Sequence, residues 1–147
     1  MKYNIIKIIL LTLVVILLSS CLPIPHKTQV IPKINGKITS NNIPLSDVKI
    51  KFYRSKHDKS NNKFKSVVFT DKNGMFYFKG DKDFHVYLVL GDPISTWSMD
   101  IIYNDTVYIG WKEFDIGYAD ESQIFICELT HHYSEKSLNQ GICNLTQ

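Results

Sequence analysis

Ser46 and Lys49 have the S-x-x-K spacing of a serine nucleophile that is activated by a lysine base. Such a pair works when both side chains lie one helical turn apart on the same face. Here the residues after Asp47 alternate between apolar and polar side chains, which indicates a β-strand. Residues i and i+3 of a strand point to opposite faces, so we interpret the spacing as coincidence. We find no other catalytic set or cofactor motif, and we predict a protein that is not an enzyme.

A run of basic residues between positions 49 and 65 is a candidate binding site, because the segment contains only one acidic residue, Asp58. It is a possible anion-binding patch for lipid headgroups, lipopolysaccharide or an acidic protein face. Its members are Lys49, Lys51, Arg54, Lys56, Lys59, Lys63 and Lys65. Residues 22–80 hold 12 basic and 3 acidic side chains, whereas residues 81–147 hold 3 and 11. The alternative is therefore that neighbouring strands of opposite charge form exposed ion pairs. The near-neutral total beyond the leader argues against nucleic acid as a partner.

The first 20 residues are predicted to be an export signal. Lys2 and Lys7 precede an uncharged run of eleven residues, Ile8 to Leu18. A helix of that length rises about 16 Å, which is half of a bilayer's hydrocarbon core. A basic start, a short apolar run and small residues before a cut site are typical of a secretory signal.

The end of this leader, Leu18-Ser19-Ser20-Cys21, resembles the lipobox of bacterial lipoproteins. The resemblance implies that the Cys21 thiol receives a diacylglycerol, that the chain is cut before Cys21 and that the new amine is acylated, for example with palmitate. Two or three acyl chains anchor a protein stably in a lipid bilayer. Leu22 stands where an aspartate would favour inner-membrane retention, so the resemblance implies the outer membrane, with the protein facing the periplasm.

Cys127 and Cys143 remain once Cys21 is assigned to lipid. An even pair of cysteines outside the cytoplasm is normally a disulfide. Sixteen positions separate the two residues, and closing such a loop contributes roughly 3 kcal/mol in the chain-entropy model. The alternative is a zinc site completed by His131 and His132, but adjacent histidines rarely face one ion and the spacing is unfamiliar. We predict the disulfide and no metal.

The body of the chain reads as short strands. It has one alanine and is rich in β-branched and aromatic residues, with turn residues between its alternating segments. This pattern predicts an all-β fold, an antiparallel β-sandwich of seven to eight strands. The predicted strands are Lys33–Thr39, Val48–Tyr53, Phe64–Thr70, Met75–Lys79, Phe84–Leu90, Trp97–Tyr103, Thr106–Trp111 and Gln123–Thr130.

Two segments carry a family resemblance. The first runs from Gly36 through a Pro44-Leu45 turn to a strand, and the second is Thr70-Asp71-Lys72-Asn73-Gly74-Met75-Phe76. Together they resemble the carboxypeptidase regulatory-like, or transthyretin-like, domain, whose members are mostly non-enzymatic modules. In the second segment the Asp71 carboxylate would cap the turn, Gly74 would take positive φ, and Phe76 and Phe78 would face inward.

Four aromatic residues, Trp97, Tyr103, Tyr108 and Trp111, could stack on the sugar rings of glycan, but we expect most of them in the core.

We expect four segments: a signal peptide at 1–20, a lipidated cysteine and proline-rich tether at 21–32, a transthyretin-like domain at 33–130 and a disulfide-linked tail at 131–147.

The sequence thus favours a lipid-anchored, non-catalytic binding or structural module of the cell envelope that contacts an envelope protein. One alternative is an accessory lipoprotein of a secretion or envelope-assembly machine. An envelope hydrolase, with a site assembled from distant residues, is the alternative from a different class.

Overall fold

The computed structural model describes residues 2–19, 24–61, 63–87, 92–129 and 141–146, and it consists mostly of β-strands in several antiparallel sheets. The helices within these residues are α1 (Lys2–Ser19) and α2 (Lys56–Ser60). The strands are β1 (Ile24–Ile31), β2 (Lys33–Ser40), β3 (Ile43–Pro44), β4 (Lys49–Tyr53), β5 (Ser66–Phe69), β6 (Met75–Phe78), β7 (Asp81–Tyr87), β8 (Ile94–Tyr103), β9 (Thr106–Ile116), β10 (Ser122–Glu128) and β11 (Cys143–Thr146).

The chain divides into two compact units. The first comprises residues 1–27 and 84–91 and includes α1, whose side chains are exposed from Ile5 to Val15. The second comprises residues 28–83 and 92–147 and contains the whole buried apolar cluster. Strands β1 and β7 pair with each other as a two-stranded sheet.

One sheet of the second unit has four strands in the order β5-β4-β8-β9, and every neighbouring pair is antiparallel. Strands β8 and β9 form a hairpin whose turn residues, Asn104 and Asp105, both have positive φ. Asparagine and aspartate tolerate that conformation, which a two-residue hairpin turn needs. A β-bulge between Met99 and Asp100 shifts the register of this hairpin.

The other sheet has the order β11-β10-β2-β3, and β6 also pairs with β2. Its pairs are antiparallel except for β2 and β10, which run parallel from Ser122 opposite Lys33 to Glu128 opposite Thr39. The sequence predicts antiparallel pairing, and the β2–β10 pair departs from that prediction. The two strands are far apart in sequence, so no hairpin turn forces them to be antiparallel.

Aromatic side chains from the two sheets meet in the interior. Phe52 of the four-stranded sheet stacks on Phe78 of the other, with ring centroids 4.2 Å apart. Phe125 of β10 contacts Trp97 edge-on at 6.2 Å and Trp111 at 5.0 Å. Such pairs add attraction to the burial of apolar area, so they hold the inner faces together.

The turn before β6 has the predicted geometry. The Asp71 carboxylate accepts hydrogen bonds from the backbone N–H groups of Asn73 at 2.8 Å and Met75 at 2.9 Å. Gly74 has a φ of 73°, which glycine adopts without strain. Phe76 and Phe78 are buried, as expected.

The contacts of Gly36 explain why the first of the two resemblance segments has a glycine within strand β2. It lies opposite Phe76 in the register, and a Cβ placed on Gly36 would approach the Phe76 ring to 2.3 Å. The Phe76 ring therefore occupies the space that a side chain at position 36 would need.

The predicted domain has a further strand on each side of it. Residues 24–31 of the expected tether form β1, and Ile31 is fully buried in the core. Within the expected tail, residues 143–146 form β11, which pairs with β10. Residues 130–140 lie outside the described residues.

Candidate functional site

The predicted lipidation residue, Cys21, lies outside the described residues. The elements on either side of it are α1, which ends at Ser19, and β1, which begins at Ile24. Among the helices that the structure describes, none combines the length and the apolar character needed to cross a membrane.

Cys127 and Cys143 form the predicted disulfide. Cys127 of β10 lies directly opposite Cys143 of β11, so the bond joins these two neighbouring strands. Beside it, the Ile142 N–H donates to the Ile109 carbonyl at 2.9 Å, which links the same segment to β9 of the other sheet. The disulfide occupies both sulfurs that the zinc alternative requires, while His131 and His132 lie outside the described residues. No group of three or more potential metal ligands is found in the described ranges.

Arg54 lies at the end of β4, and its guanidinium group binds two carboxylates. Its Nε donates to Asp81 Oδ2 and its Nη1 donates to Asp83 Oδ2 at 2.9 Å. Lys65 Nζ lies 3.4 Å from the other oxygen of Asp81. The hydrogen bond to Asp81 raises the pKa of Arg54 above its ordinary value. Two of the seven predicted anion-binding residues thus pair with acids.

A third, Lys59, belongs to a polar cluster that we define as Tyr53, Lys59, Ser98 and Asp100. Lys59 Nζ donates to Asp100 Oδ1, and it lies 5.9 Å from the centroid of the Tyr53 ring. The Asp100 side chain is only 6% exposed, against 28% for Lys59. Burial, followed by the negative charge of Asp100, raises the pKa of Tyr53 above its ordinary value.

This polar cluster is assembled by three elements. Tyr53 of β4 lies opposite Ser98 of β8, and Asp100 is on the same outer face of the four-stranded sheet. Helix α2 packs against both strands and brings Lys59 over them. The helix begins after Ser55, whose hydroxyl oxygen accepts the Asp58 N–H at 3.1 Å in the manner of an N-cap.

The polar cluster contains a hydroxyl, a carboxylate and an amine, the groups that a hydrolase would use. A serine nucleophile must be within hydrogen-bond reach of its base. The Ser98 hydroxyl is buried and has no hydrogen-bond partner among the described residues, while the Lys59 ammonium donates to Asp100. The arrangement therefore fixes α2 to the sheet, and it does not position a nucleophile beside its base.

The remaining predicted anion-binding residues do not converge on one point. Lys49 and Lys51 are half-buried on the outer face of β4, and Lys51 Nζ lies 5.0 Å from the centroid of the Phe64 ring. Lys63 is exposed after α2. The side chain of Lys56 lies outside the description. The contacts of Arg54, Lys59 and Lys65 match the ion-pair alternative for this segment.

The aromatic residues lie mostly inside, as expected. Trp97 is 2% exposed and Trp111 is 9% exposed, and the Trp111 indole N–H donates to Glu113 Oε2 at 2.7 Å. Tyr103 and Tyr108 are half-buried against the core. The two indole rings are therefore not presented to a glycan.

Large apolar side chains are exposed on the outer faces of both sheets. On the four-stranded sheet the most exposed are Phe114 at 78% and Ile116 at 71%, beside Ile94 at 60%. On the other sheet they are Met75, Tyr77, Ile124 and Ile126. Contiguous apolar patches mark interaction sites, and these outer faces are where the described residues could form one.

Sequence reasoning missed α2 and the polar cluster that it covers. The available signal was Ser55 followed three residues later by Asp58, which has the spacing of a helix N-terminus. The helix has only five residues, so it shows no apolar period.

A comparison with protein-family models matches residues 34–132 to "Domain of unknown function (DUF6795)". None of the curated proteins matches the sequence. The matched range includes β2 to β10 and the first cysteine of the disulfide, and it spans two thirds of the chain. The chain therefore belongs to the DUF6795 family.

Proposed function

We propose that this protein is a lipid-anchored, non-catalytic module of the cell envelope, attached through Cys21. The observation that carries the proposal is the lipobox-like Leu18-Ser19-Ser20-Cys21, placed between an apolar N-terminal helix and the first strand. Among the side chains that the structure describes, the first in the buried apolar core is Ile31. Cleavage before Cys21 would therefore remove none of these core residues, as an export signal requires.

The folded part begins soon after the proposed anchor. β1 starts at Ile24, three positions beyond Cys21, and Ile31 is buried. Ten residues of extended chain span at most about 35 Å, so the domain is kept close to the leaflet that holds the lipid. The anchor in this proposal is thus a short connection that continues directly into a paired strand.

We also propose that the domain is a transthyretin-like sandwich. Three contacts support this assignment: the Gly36–Phe76 approach, the Asp71 turn and the Phe52–Phe78 stack between inner faces. The first two lie in the segments that carry the family resemblance. A rigid sheet scaffold of this kind presents its outer faces and strand edges to a partner, which is the role proposed for this module.

A fractionation experiment tests the anchor. The full chain is expressed in a two-membrane bacterium, and its distribution is compared with that of Cys21→Ser and of Ser20→Ala, which keeps a small residue before the cysteine. We expect the wild-type and Ser20→Ala proteins in the outer-membrane fraction and Cys21→Ser outside it. Equal recovery of Cys21→Ser and the wild type in the outer-membrane fraction would overturn the proposal.

Purification of the detergent-solubilised wild-type protein then tests the binding role. A stoichiometric envelope protein that is lost when an exposed apolar residue of the other sheet, such as Ile126, is replaced would support it. Hydrolysis of an envelope substrate by the purified chain would instead favour the hydrolase alternative.

A further inference from the structure

The two sheets of the second unit are each divided by charge. Residues 28–83 hold 12 basic and 5 acidic side chains, and residues 92–147 hold 2 basic and 9 acidic. In the four-stranded sheet, β5 and β4 come from the basic range, while β8 and β9 come from the acidic range. The two edge strands of this sheet therefore come from oppositely charged parts of the chain, although β5 itself carries no charged side chain and β9 carries one base and two acids.

The sequence next to each edge strand keeps this difference. Residues 63–69, which end in β5, contain two lysines and no acid; Lys65 is paired with Asp81 of the same chain, and Lys63 is exposed. Residues 111–121, which include the end of β9, contain four acids and one base, Lys112, and one of these acids, Glu121, is paired with Lys33 of the same chain. Opposite charges on two surfaces of one molecule attract when the surfaces belong to different copies, and salt weakens that attraction.

Both edge strands have backbone available for pairing. β5 pairs only with β4 among the described residues. The outer edge of β9 accepts Ile142 at Ile109, and Asp115 Oδ1 accepts the Ile116 N–H. Between these two contacts, no backbone partner on the outer edge of β9 from Trp111 to Asp115 is found in the described residues. Within the described residues this stretch of β9 is an edge strand, and an edge strand can accept a further strand.

Strand direction and side-chain facing are compatible with such pairing. Every neighbouring pair of the sheet is antiparallel, so β5 and β9 run in opposite directions. A second copy placed beside the first in the same orientation would pair its β5 antiparallel to β9 and continue the alternation. On the outer face, Phe69 of β5 is 58% exposed and Phe114 of β9 is 78% exposed, and the junction would bring the two edges' apolar side chains together.

We propose that the β9 edge of one copy binds the β5 edge of a second copy, which joins their four-stranded sheets head to tail. Because the two surfaces differ, the contact is heterologous and extends into short open chains of copies. The inference does not rest on the lipid anchor, since all of its residues belong to the second unit.

Cross-linking of variants that each carry one introduced cysteine tests the geometry. Phe69→Cys and Phe114→Cys are prepared in the full chain, and a thiol-specific bifunctional reagent is applied to each variant alone and to their mixture. Wild type, which retains Cys21, measures the background. We expect cross-linked dimers in the mixture, background levels in either variant alone, and a ladder of larger species for the double variant.

A position on the other sheet provides the matched control. Tyr77 is 57% exposed, close to the 58% of Phe69. In a mixture of Tyr77→Cys with Phe114→Cys, the yield of cross-linked dimer should stay at the background level. Dimers of Phe114→Cys alone would show a symmetric contact between β9 edges. That result, or a mixture no different from the Tyr77→Cys control, would overturn the proposal.

Salt and charge reversal test the electrostatic part. The yield from the mixture should fall as sodium chloride is raised, because the attraction is screened. Lys63→Glu, at the basic edge, should also lower the yield, whereas Lys79→Glu, after β6 in the other sheet, makes the same change in net charge and should leave it unaltered. Equal yields from the two charge variants, or no effect of salt, would contradict the proposed complementarity.

Discussion

The interior between the two sheets and the outer face of the four-stranded sheet both bury side chains, but they do so with different chemistry. The interior is apolar and aromatic, with Phe52, Trp97 and Phe125 at its centre. The outer face buries Asp100 and Tyr53 beneath Lys59 of α2. The interior therefore buries apolar side chains, whereas the outer face of the four-stranded sheet buries an ion pair, Lys59 with Asp100.

This difference determines what each surface contributes to stability. Burying a large apolar side chain stabilises by about 1.5–3 kcal/mol. A buried ion pair gains far less, because desolvating both charges opposes their attraction, although removing one partner is costly. The interior is therefore expected to account for most of the free energy of unfolding, and the outer face for the position of α2.

The largest effect is expected from Phe125→Ala. Phe125 is fully buried and contacts both tryptophans, so its removal leaves a cavity and should cost about 3–5 kcal/mol of unfolding free energy. Urea denaturation measures the change. Ile124→Ala, at the preceding position of β10 and 52% exposed, is the control and should change stability by less than about 0.5 kcal/mol. Equal losses in the two variants would show that the interior is not packed as described.

Removal of the disulfide should have the next largest effect. The double variant Cys127→Ser/Cys143→Ser is expected to lose about 3 kcal/mol, because the unfolded chain regains the entropy of a sixteen-residue loop. Hydrogen exchange gives a local readout, since the Ile142 amide should exchange faster once β11 is no longer bonded to β10. An unchanged Ile142 exchange rate would mean that the disulfide does not hold this segment.

The outer face is tested by Lys59→Met, which leaves the Asp100 carboxylate buried without its cation. Lys59 is itself partly exposed, so we expect a loss of about 1–3 kcal/mol, below that of a fully buried pair. The double variant Lys59→Met/Asp100→Asn removes the uncompensated charge and should recover part of this loss. Lys63→Met, an exposed lysine after the same helix, is the control, and a similar loss there would contradict the role given to the ion pair.

The smallest effect is expected at the exposed pair of Lys33 and Glu121, whose Nζ and Oε1 are 3.0 Å apart. The Lys33 hydrogen bond and charge, followed by the charge of Lys82, hold the pKa of Glu121 below its ordinary value. The pair's small contribution is therefore present above the unfolded-state pKa and is lost as pH falls through the folded-state pKa. An NMR titration should show the Glu121 pKa rising in Lys33→Met but not in Lys112→Met. A rise of equal size in both variants would indicate a general charge effect rather than this contact.

The interior could be predicted from the sequence, and the outer face could not. Alternation placed Ile50 and Phe52 on one face of β4, and the Asp71–Gly74 turn directed Phe76 inward. These are local properties, because the period of a strand and the geometry of a turn are set by consecutive residues. The position of Asp100 depends instead on Lys59, which is 41 residues away.

The two ends of the domain show the same limit. The prolines near residue 24 indicated extended chain correctly, but they gave no sign that this chain would pair with β7. Likewise, the cysteine pair indicated a disulfide, and the short β11 that accompanies it has too few residues for a recognisable period. Pairing partners that are distant in sequence leave no local pattern.

Intact-mass spectrometry of the protein isolated from native membranes tests the proposed attachment most directly. The account predicts a chain that begins at Cys21, lacks residues 1–20 and carries a diacylglycerol group together with N-linked acylation. A chain that retains the leader, or one whose residue 21 bears a free thiol, would contradict it.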